Sequence, residues 1–282
     1  MSAHQTGKSR LLGETARRAV EKVREPLLAA FRSQMDVDFK RDRHDPVTEH
    51  DRRAEAMIRD LIFKEVPDST FMGEEGGSTG DGEVHWYVDP IDGTANFARG
   101  LAFWCVSIGA VIGDEIVAGA ILDPVTGNLF EATTEGATLN GKPMQSRAVR
   151  QEKQAVLITG YPVSRDFEID GEAQALARFG ELTKTYATLR RPGSAALSLA
   201  HVAAGWVDAA AGFSVNSWDV TAAILIVQKA GGTYRPYDLS AGNTGSRIFE
   251  MPAYVATGQG ADYPVLTRIA DEIAAQRSAL QC

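Results

Sequence analysis

Residues 86–97 read Trp-Tyr-Val-Asp-Pro-Ile-Asp-Gly-Thr-Ala-Asn-Phe, and the order of these residue types decides where chemistry can sit. Trp86–Val88 has the composition of a strand end, and Pro90, lacking a backbone N–H, is expected to stop that strand. Asp89 and Asp92 then fall on a tight turn whose side chains can converge. Gly93 and Thr94 open a new segment, so unpaired N–H groups point into the same space, a place for an anion. Carboxylates beside an anion hole contradict one another unless a divalent cation lies between them. For these residues alone, an ordinary Asx turn between strand and helix is the simpler alternative.

Other segments repeat the theme. Phe71-Met72-Gly73-Glu74-Glu75-Gly76-Gly77 is a second apolar run ending in acids and glycines. Trp218-Asp219-Val220 opens an apolar helix that runs to about Ala230. Asp45-Pro46-Val47-Thr48-Glu49-His50-Asp51 leads into a helix in which Ala54, Met57, Ile58, Leu61 and Ile62 recur at helical spacing. Thr48 and Asp51 also fit a capping box, which needs no chemistry. Each segment sets a carboxylate at the end of an element.

On these residues the chain resembles the inositol monophosphatase family of Mg²⁺-dependent, lithium-sensitive phosphatases. The matching pieces are the Asp-x-Val-Thr-x-x-Asp run at 45–51, Gly-Glu-Glu at 73–75, Asp-Pro-Ile-Asp-Gly-Thr at 89–94, Gly-Ser-Ala-Ala at 193–196 and Trp-Asp-Val-x-Ala-Ala at 218–223. The resemblance implies a layered αβαβα sandwich, of the type shared with fructose-1,6-bisphosphatase, and a homodimer. It implies that Glu74, Asp89 and the Ile91 carbonyl hold a first Mg²⁺, and that Asp89 bridges to a second completed by Asp92 and Asp219. A third, weaker ion is implied near Glu74. Thr94, hydrogen-bonded to Asp51, would share in accepting a proton from the attacking water, which Glu74 orients. Gly93 and Thr94 would hold phosphate oxygens. Asp92, Gly193, Ser194 and Ala195 would contact the substrate.

Composition sets the class. A chain of 282 residues with 44% hydrophobic content can bury a sizeable core. No apolar run reaches the ~18–20 residues of a membrane helix. The first ten residues lack the apolar stretch of a secretory signal. Cys105 and Cys282 give neither a disulfide framework nor metal spacing. A cytoplasmic enzyme is the expectation. The net charge of −8 disfavours nucleic acid as a partner, and any anionic substrate needs a local source of positive potential. Hard carboxylate donors without His or Cys point to Mg²⁺, with Mn²⁺ tolerated.

Along the chain the pattern predicts helices over 10–33 and 49–65, a strand ending at Gly73, and a flexible connector at 76–83. Antiparallel strands follow near 103–112, 115–122 and 128–134. From about 150 the rhythm alternates: strand 156–159, helix 169–180, strand 185–189, helix 194–204, strand 207–211, helix 218–230, strand 254–257 and helix 262–280. An α+β half (1–148), carrying most of the acids, and an α/β half (149–282), carrying Asp219 and substrate contacts, are expected to behave as one compact unit. Gly136–Pro143 mimics a phosphate loop, but Pro143 replaces its Ser/Thr, and Asn140-Gly141 reads as a hairpin turn. His50, next to Asp51, is expected on the surface.

One departure bears on the substrate. Seven residues before Asp219, inositol-using members of the family carry a glutamate that binds ring hydroxyls; this chain has Gly212. Inositol 1-phosphate is the default substrate by family frequency, with histidinol phosphate, sugar phosphates and nucleotide monophosphates open. A bisphosphatase would need a second basic pocket, for which Arg165, Arg190 and Arg191 are the nearby candidates. A non-catalytic interaction protein is the rival outside the enzymes, since some bacterial relatives bind the transcription machinery.

Overall fold

A computed structural model describes residues 3–39, 46–239 and 247–280; Asp45, His44 and Cys282 lie outside that range. Helix α1 (Ala3–Ala30) runs unbroken through Pro26, starting seven residues before the predicted boundary. Two short strands, β1 (Asp38–Phe39) and β2 (Pro46–Val47), precede α2 (Glu49–Glu65), which has the predicted bounds. Then come β3 (Ser69–Gly73), β4 (Gly77–Gly80), β5 (Val84–Asp92), the short α3 (Thr94–Arg99), β6 (Cys105–Ile112), β7 (Glu115–Asp123), β8 (Asn128–Thr133), β9 (Gly136–Leu139) and β10 (Lys142–Pro143). Among the described residues, β3 to β10 form one sheet in the order β10-β9-β8-β7-β6-β5-β3-β4, antiparallel except where β3 runs beside β5.

The remaining chain is β11 (Val156–Thr159), α4 (Ser164–Asp170), α5 (Glu172–Thr185), β12 (Thr188–Arg190), α6 (Ala195–Ala203), β13 (Ala209–Gly212), α7 (Ser217–Lys229), β14 (Thr233–Tyr237), β15 (Ala253–Thr257) and α8 (Pro264–Ala279). Its strands form a second sheet in the order β12-β11-β13-β15-β14, with β11 parallel to both neighbours. Helices α1 and α2 cover the outer face of the large sheet, α6 and α7 fill the space between the sheets, and α5 and α8 pack on the small sheet. This is the αβαβα sandwich. No helix among the described residues is long and apolar enough to cross a membrane.

The apolar patterning explains the layers. Leu12, Ala16, Ala19, Val20, Val23 and Leu27 of α1 meet Trp86, Val88, Ile108 and Ala120 in one core. Helix α7 is buried along almost its whole length because sheets lie on both sides of it. It lies close on the large sheet over the cross-strand pair Gly109–Gly119, where a Cβ on Gly109 would fall 2.6 Å from Thr221 Cγ2 and one on Gly119 2.9 Å from Ala222 Cα. This contact fixes the start of α7, and with it Asp219, over the C-terminal end of β5.

Three expectations are corrected. Residues 77–80 are not a free connector but the edge strand β4, because the outer edge of β3 needs backbone partners and glycines supply them as well as any residue. The helix predicted at 169–180 is two helices, α4 and α5, divided at Gly171 with φ +82°. Pro90 does not stop β5, which continues to Asp92 through a register irregularity. Proline is tolerated in strands at such bulges. Asn140 and Gly141, both with positive φ, join β9 to β10 as the predicted hairpin.

Candidate metal centre and active site

The irregularity in β5 builds the site. Asp89 pairs with Ser107 and Asp92 with Cys105, so three steps on β5 match two on β6. In a regular strand, residues three apart point to opposite faces; the extra residue of a bulge turns both aspartates to the same side. That side faces the start of α7, where the Ser107 hydroxyl lies 3.4 Å from the Trp218 carbonyl it donates to. The loop after β3 brings Glu74 alongside, its N–H donating to the Val88 carbonyl at 3.2 Å.

Four carboxylates therefore share one space. Burial pushes Asp89 well above the ordinary carboxylate range, and the charges of Glu74, Asp92 and Asp219 push it further. Asp219 is raised well above the usual value by burial and then by Asp92. Asp92 is raised to about 6 by burial, against the opposing pull of its hydrogen bonds. Those bonds come from Ser194 Oγ (2.6 Å), Ala196 N (2.6 Å) and Ala195 N (3.3 Å). The first N–H groups of α6, expected to face a substrate hydroxyl, are thus turned on Asp92. The donor set is all oxygen and carries excess negative charge in a buried place, which fits a hard divalent cation. Among the described residues no three such side chains are already closed around a common point.

Asp51 lies beside the cluster, fully buried. Its Oδ2 accepts from the Thr48 N–H (2.8 Å) and the Thr48 hydroxyl (2.7 Å), which is the capping box of α2. Its Oδ1 lies 3.1 Å from the Thr94 hydroxyl, which is also 3.0 Å from the Ile91 carbonyl. Burial raises Asp51 to about 6, with the Thr48 hydrogen bonds pulling it down and Glu75 and Glu74 pushing it up. The capping box and the hydrogen bond to Thr94 are both present, one on each oxygen. Gly93, with φ +101°, caps α3 and leaves no room for a side chain, since a Cβ would fall 3.1 Å from the Phe103 carbonyl oxygen.

Sequence reasoning missed Glu55. It is buried, and its two oxygens accept from the N–H groups of Glu75 and Gly76 at 2.8 Å, so it shapes the loop that carries Glu74. A signal existed: Asp51, Glu55, Ile58 and Ile62 fall on one helical stripe, placing two acids on an apolar face. Tyr254 was also missed. Its phenol is pushed up by burial first, and then by the charges of Asp92 and Asp219. His50 packs edge-on against Phe97 at 6.0 Å and is half-buried, not a surface histidine. Arg191 donates to the carbonyls of Gly160 (2.8 Å) and Pro162 (2.6 Å), and Arg190 is tied to Thr188 and Leu189, so these two do not form a free basic pocket.

Residues 10–277 match the sequence profile of the inositol monophosphatase family. The chain belongs to that family. Among its relatives, an inositol-1-monophosphatase of Synechocystis is 39% identical over 199 residues, 70% of this chain and 68% of that protein. The Nus factor SuhB of Pseudomonas aeruginosa is 38% identical over 224 residues, 78% of this chain and 80% of that one. The crystal structure of the extragenic suppressor protein SuhB from Bartonella henselae superposes with a TM-score of 0.77 at 29% identity, over 94% of this chain and 97% of that one. As a family member the chain is a phosphoric monoester hydrolase, and the family is in general Mg²⁺-dependent.

Proposed function

We propose that this phosphatase hydrolyses a small-molecule phosphate monoester by direct attack of water, with Mg²⁺ held by Glu74, Asp89, the Ile91 carbonyl, Asp92 and Asp219. The observation that supports this most is the buried Asp89 carboxyl, pushed well above the ordinary carboxylate range by burial and then by Glu74, Asp92 and Asp219, an arrangement that costs stability unless a cation resides there. Bound Mg²⁺, at two to three ions per site, supplies Lewis acidity, a more acidic water and a counter-charge for the leaving oxygen. Glu74 orients the water. Thr94 takes its proton and passes one to Asp51, whose raised pKa suits an acceptor near neutral pH. Gly93 and Thr94 bind phosphate oxygens through their backbone N–H groups. Gly193, Ser194 and Ala195 face the alcohol, and Ser194 keeps Asp92 in place. A purely binding role in transcription, as the relatives' name suggests for them, leaves the acidic cluster without a use.

The test is release of inorganic phosphate from inositol 1-phosphate and other monoesters, with and without Mg²⁺, beside calorimetric titration of Mg²⁺. Asp89→Asn should abolish Mg²⁺ binding and cut kcat/KM by more than the roughly 10–100-fold typical of losing an outer partner. Turnover that persists in excess EDTA would refute the reading.

A further inference from the structure

Behind Gly193 and Ser194 lies a cavity of about 200 Å³, bounded by the C-terminal ends of β11 and β13 and the first turns of α4 and α6. Parallel sheets bind ligands at the carboxyl ends of their strands, where connections leave in opposite directions. Here β11 is that strand, lying between β12 and β13. The cavity opens on the carboxylate cluster. Ser194 and Ala195 line it and contact Asp92.

Its walls are apolar: Ile158, Tyr161, Val163, Phe213, Val215 and Tyr254. The three serines that reach it already commit their hydroxyl hydrogens within the protein. Ser194 donates its hydroxyl hydrogen to Asp92, Ser198 to the Ser194 carbonyl (2.5 Å) and Ser214 to the Phe213 carbonyl (2.6 Å). Thr159 Oγ1 accepts from the Tyr161 N–H (3.1 Å), and Asp166 is paired with buried Arg277 at 2.7 Å. A polyol placed here would bury hydroxyls with few partners, which is unfavourable. Gly212 adds no polar group, and a side chain there would have to displace Tyr254: a Cβ would fall 2.8 Å from Tyr254 Cε1 and 3.1 Å from Val215 Cγ1. Tyr254 is held there by stacking on Tyr234, with ring centroids 5.3 Å apart.

We propose that this cavity is the leaving-group pocket and takes an apolar alcohol, of the size of a phenyl ring on a short alkyl arm, in place of a polyol. The proposal rests on the phosphatase reading above. Apolar cavities of ~150 Å³ hold benzene, so the volume here suits a ring plus two carbons. In the reaction the phosphorus–oxygen bond to the alcohol breaks, water supplies the new oxygen on phosphorus, and a water proton ends on the released alcohol.

The experiment compares kcat/KM in Mg²⁺ for 2-phenylethyl phosphate and inositol 1-phosphate, both esters of unactivated alcohols. The aryl-alkyl ester should be favoured by about tenfold or more, the scale on which apolar pockets discriminate. Val163, 44% exposed at the rim, can be altered without disturbing the core. Val163→Asn should shrink the ratio by roughly threefold. A wild-type ratio at or below one overturns the pocket assignment and leaves the phosphatase intact; so does a ratio that Val163→Asn does not move. No release from either ester overturns both.

Discussion

Replacing Asp51 by asparagine should stabilise the metal-free protein, and more so at neutral than at acid pH. In the native state Asp51 is completely buried and burial raises its pKa from 3.8 to about 6. The unfolded chain ionises this group near 3.8, so across the window from about pH 4 to 6 the native state keeps a proton that the unfolded state has lost. Stability from this group is therefore complete below the unfolded value and is lost as pH rises through the native one. A shift of about two units corresponds to ~3 kcal/mol of destabilisation at pH 7, of which about 1.3 kcal/mol is recovered on acidifying to pH 5.

Asparagine removes the charge and keeps the shape. Its carbonyl oxygen can accept from Thr48 as Oδ2 does, and its amide can donate to Thr94, whose hydroxyl then turns to the Ile91 carbonyl 3.0 Å away. The assay is urea unfolding of wild type and Asp51→Asn in EDTA at both pH values. The variant should be more stable at pH 7 by up to ~3 kcal/mol, with the gap narrowing by about 1.3 kcal/mol at pH 5. A variant less stable than wild type at pH 7, or a gap insensitive to pH, would falsify the account. The same change should lower turnover, as expected where a strained site is kept for its chemistry.

Two further substitutions probe the alcohol cavity, one in its wall and one behind Asp166. Gly212→Glu should cost about 1–3 kcal/mol in denaturant unfolding, from overpacking against Tyr254 and Val215, and should leave inositol 1-phosphate a poor substrate. Arg277→Met should cost about 3–5 kcal/mol in the same measurement. It removes the closest cation of the buried carboxylates Asp166 and Asp170, which Arg277 binds at 2.7 and 2.8 Å, leaving Asp170 only Arg178 at 3.7 Å, and an unchanged midpoint would refute these ion pairs as stabilising contacts.

Much of the fold was legible because periodicity and local signals agree. Helix α2 has a capping box at one end and an apolar stripe along its length, and its bounds were read without error. Helix α7 is apolar all round, a signature of burial on both sides, and lies between two sheets. The misread places are those where backbone demand overrides side-chain preference. Gly77–Gly80 has the composition of a loop, yet the open edge of β3 recruits it as a strand. Pro90 looks like a terminator, yet β5 absorbs it in a bulge, and only that bulge brings Asp89 and Asp92 to one face. The acids that cluster stand in the motifs quoted from the sequence, but the reason they converge does not.

What hid the rest of the site is that a carboxylate has two oxygens and can serve the fold and the chemistry together. Capping and catalysis look like competing explanations for Asp51 in the sequence. In the structure Oδ2 caps α2 while Oδ1 meets Thr94. Asp219 repeats the device: its Oδ2 accepts from the N–H of Asn216, the N-cap of α7, at 2.8 Å to complete a capping box, while its charge bears on Asp92 and Asp89. Asp92 reverses it, accepting from the first turn of α6 and so tying that helix to the cluster. Asp51, Asp92 and Asp219 are each tied to a helix start, whereas Asp89 is held by the Ile91 N–H at 3.0 Å. The first three acids are therefore held in place by the backbone, at the cost of pKa values raised by burial that a cation would relieve. Gly212 and Tyr254 lie outside this exchange. Their pairing depends on β13 meeting β15 in register, Gly212 opposite Tyr254, across more than forty intervening residues. No local pattern announces such a contact, so the apolar character of the alcohol cavity becomes visible only once the second sheet is assembled.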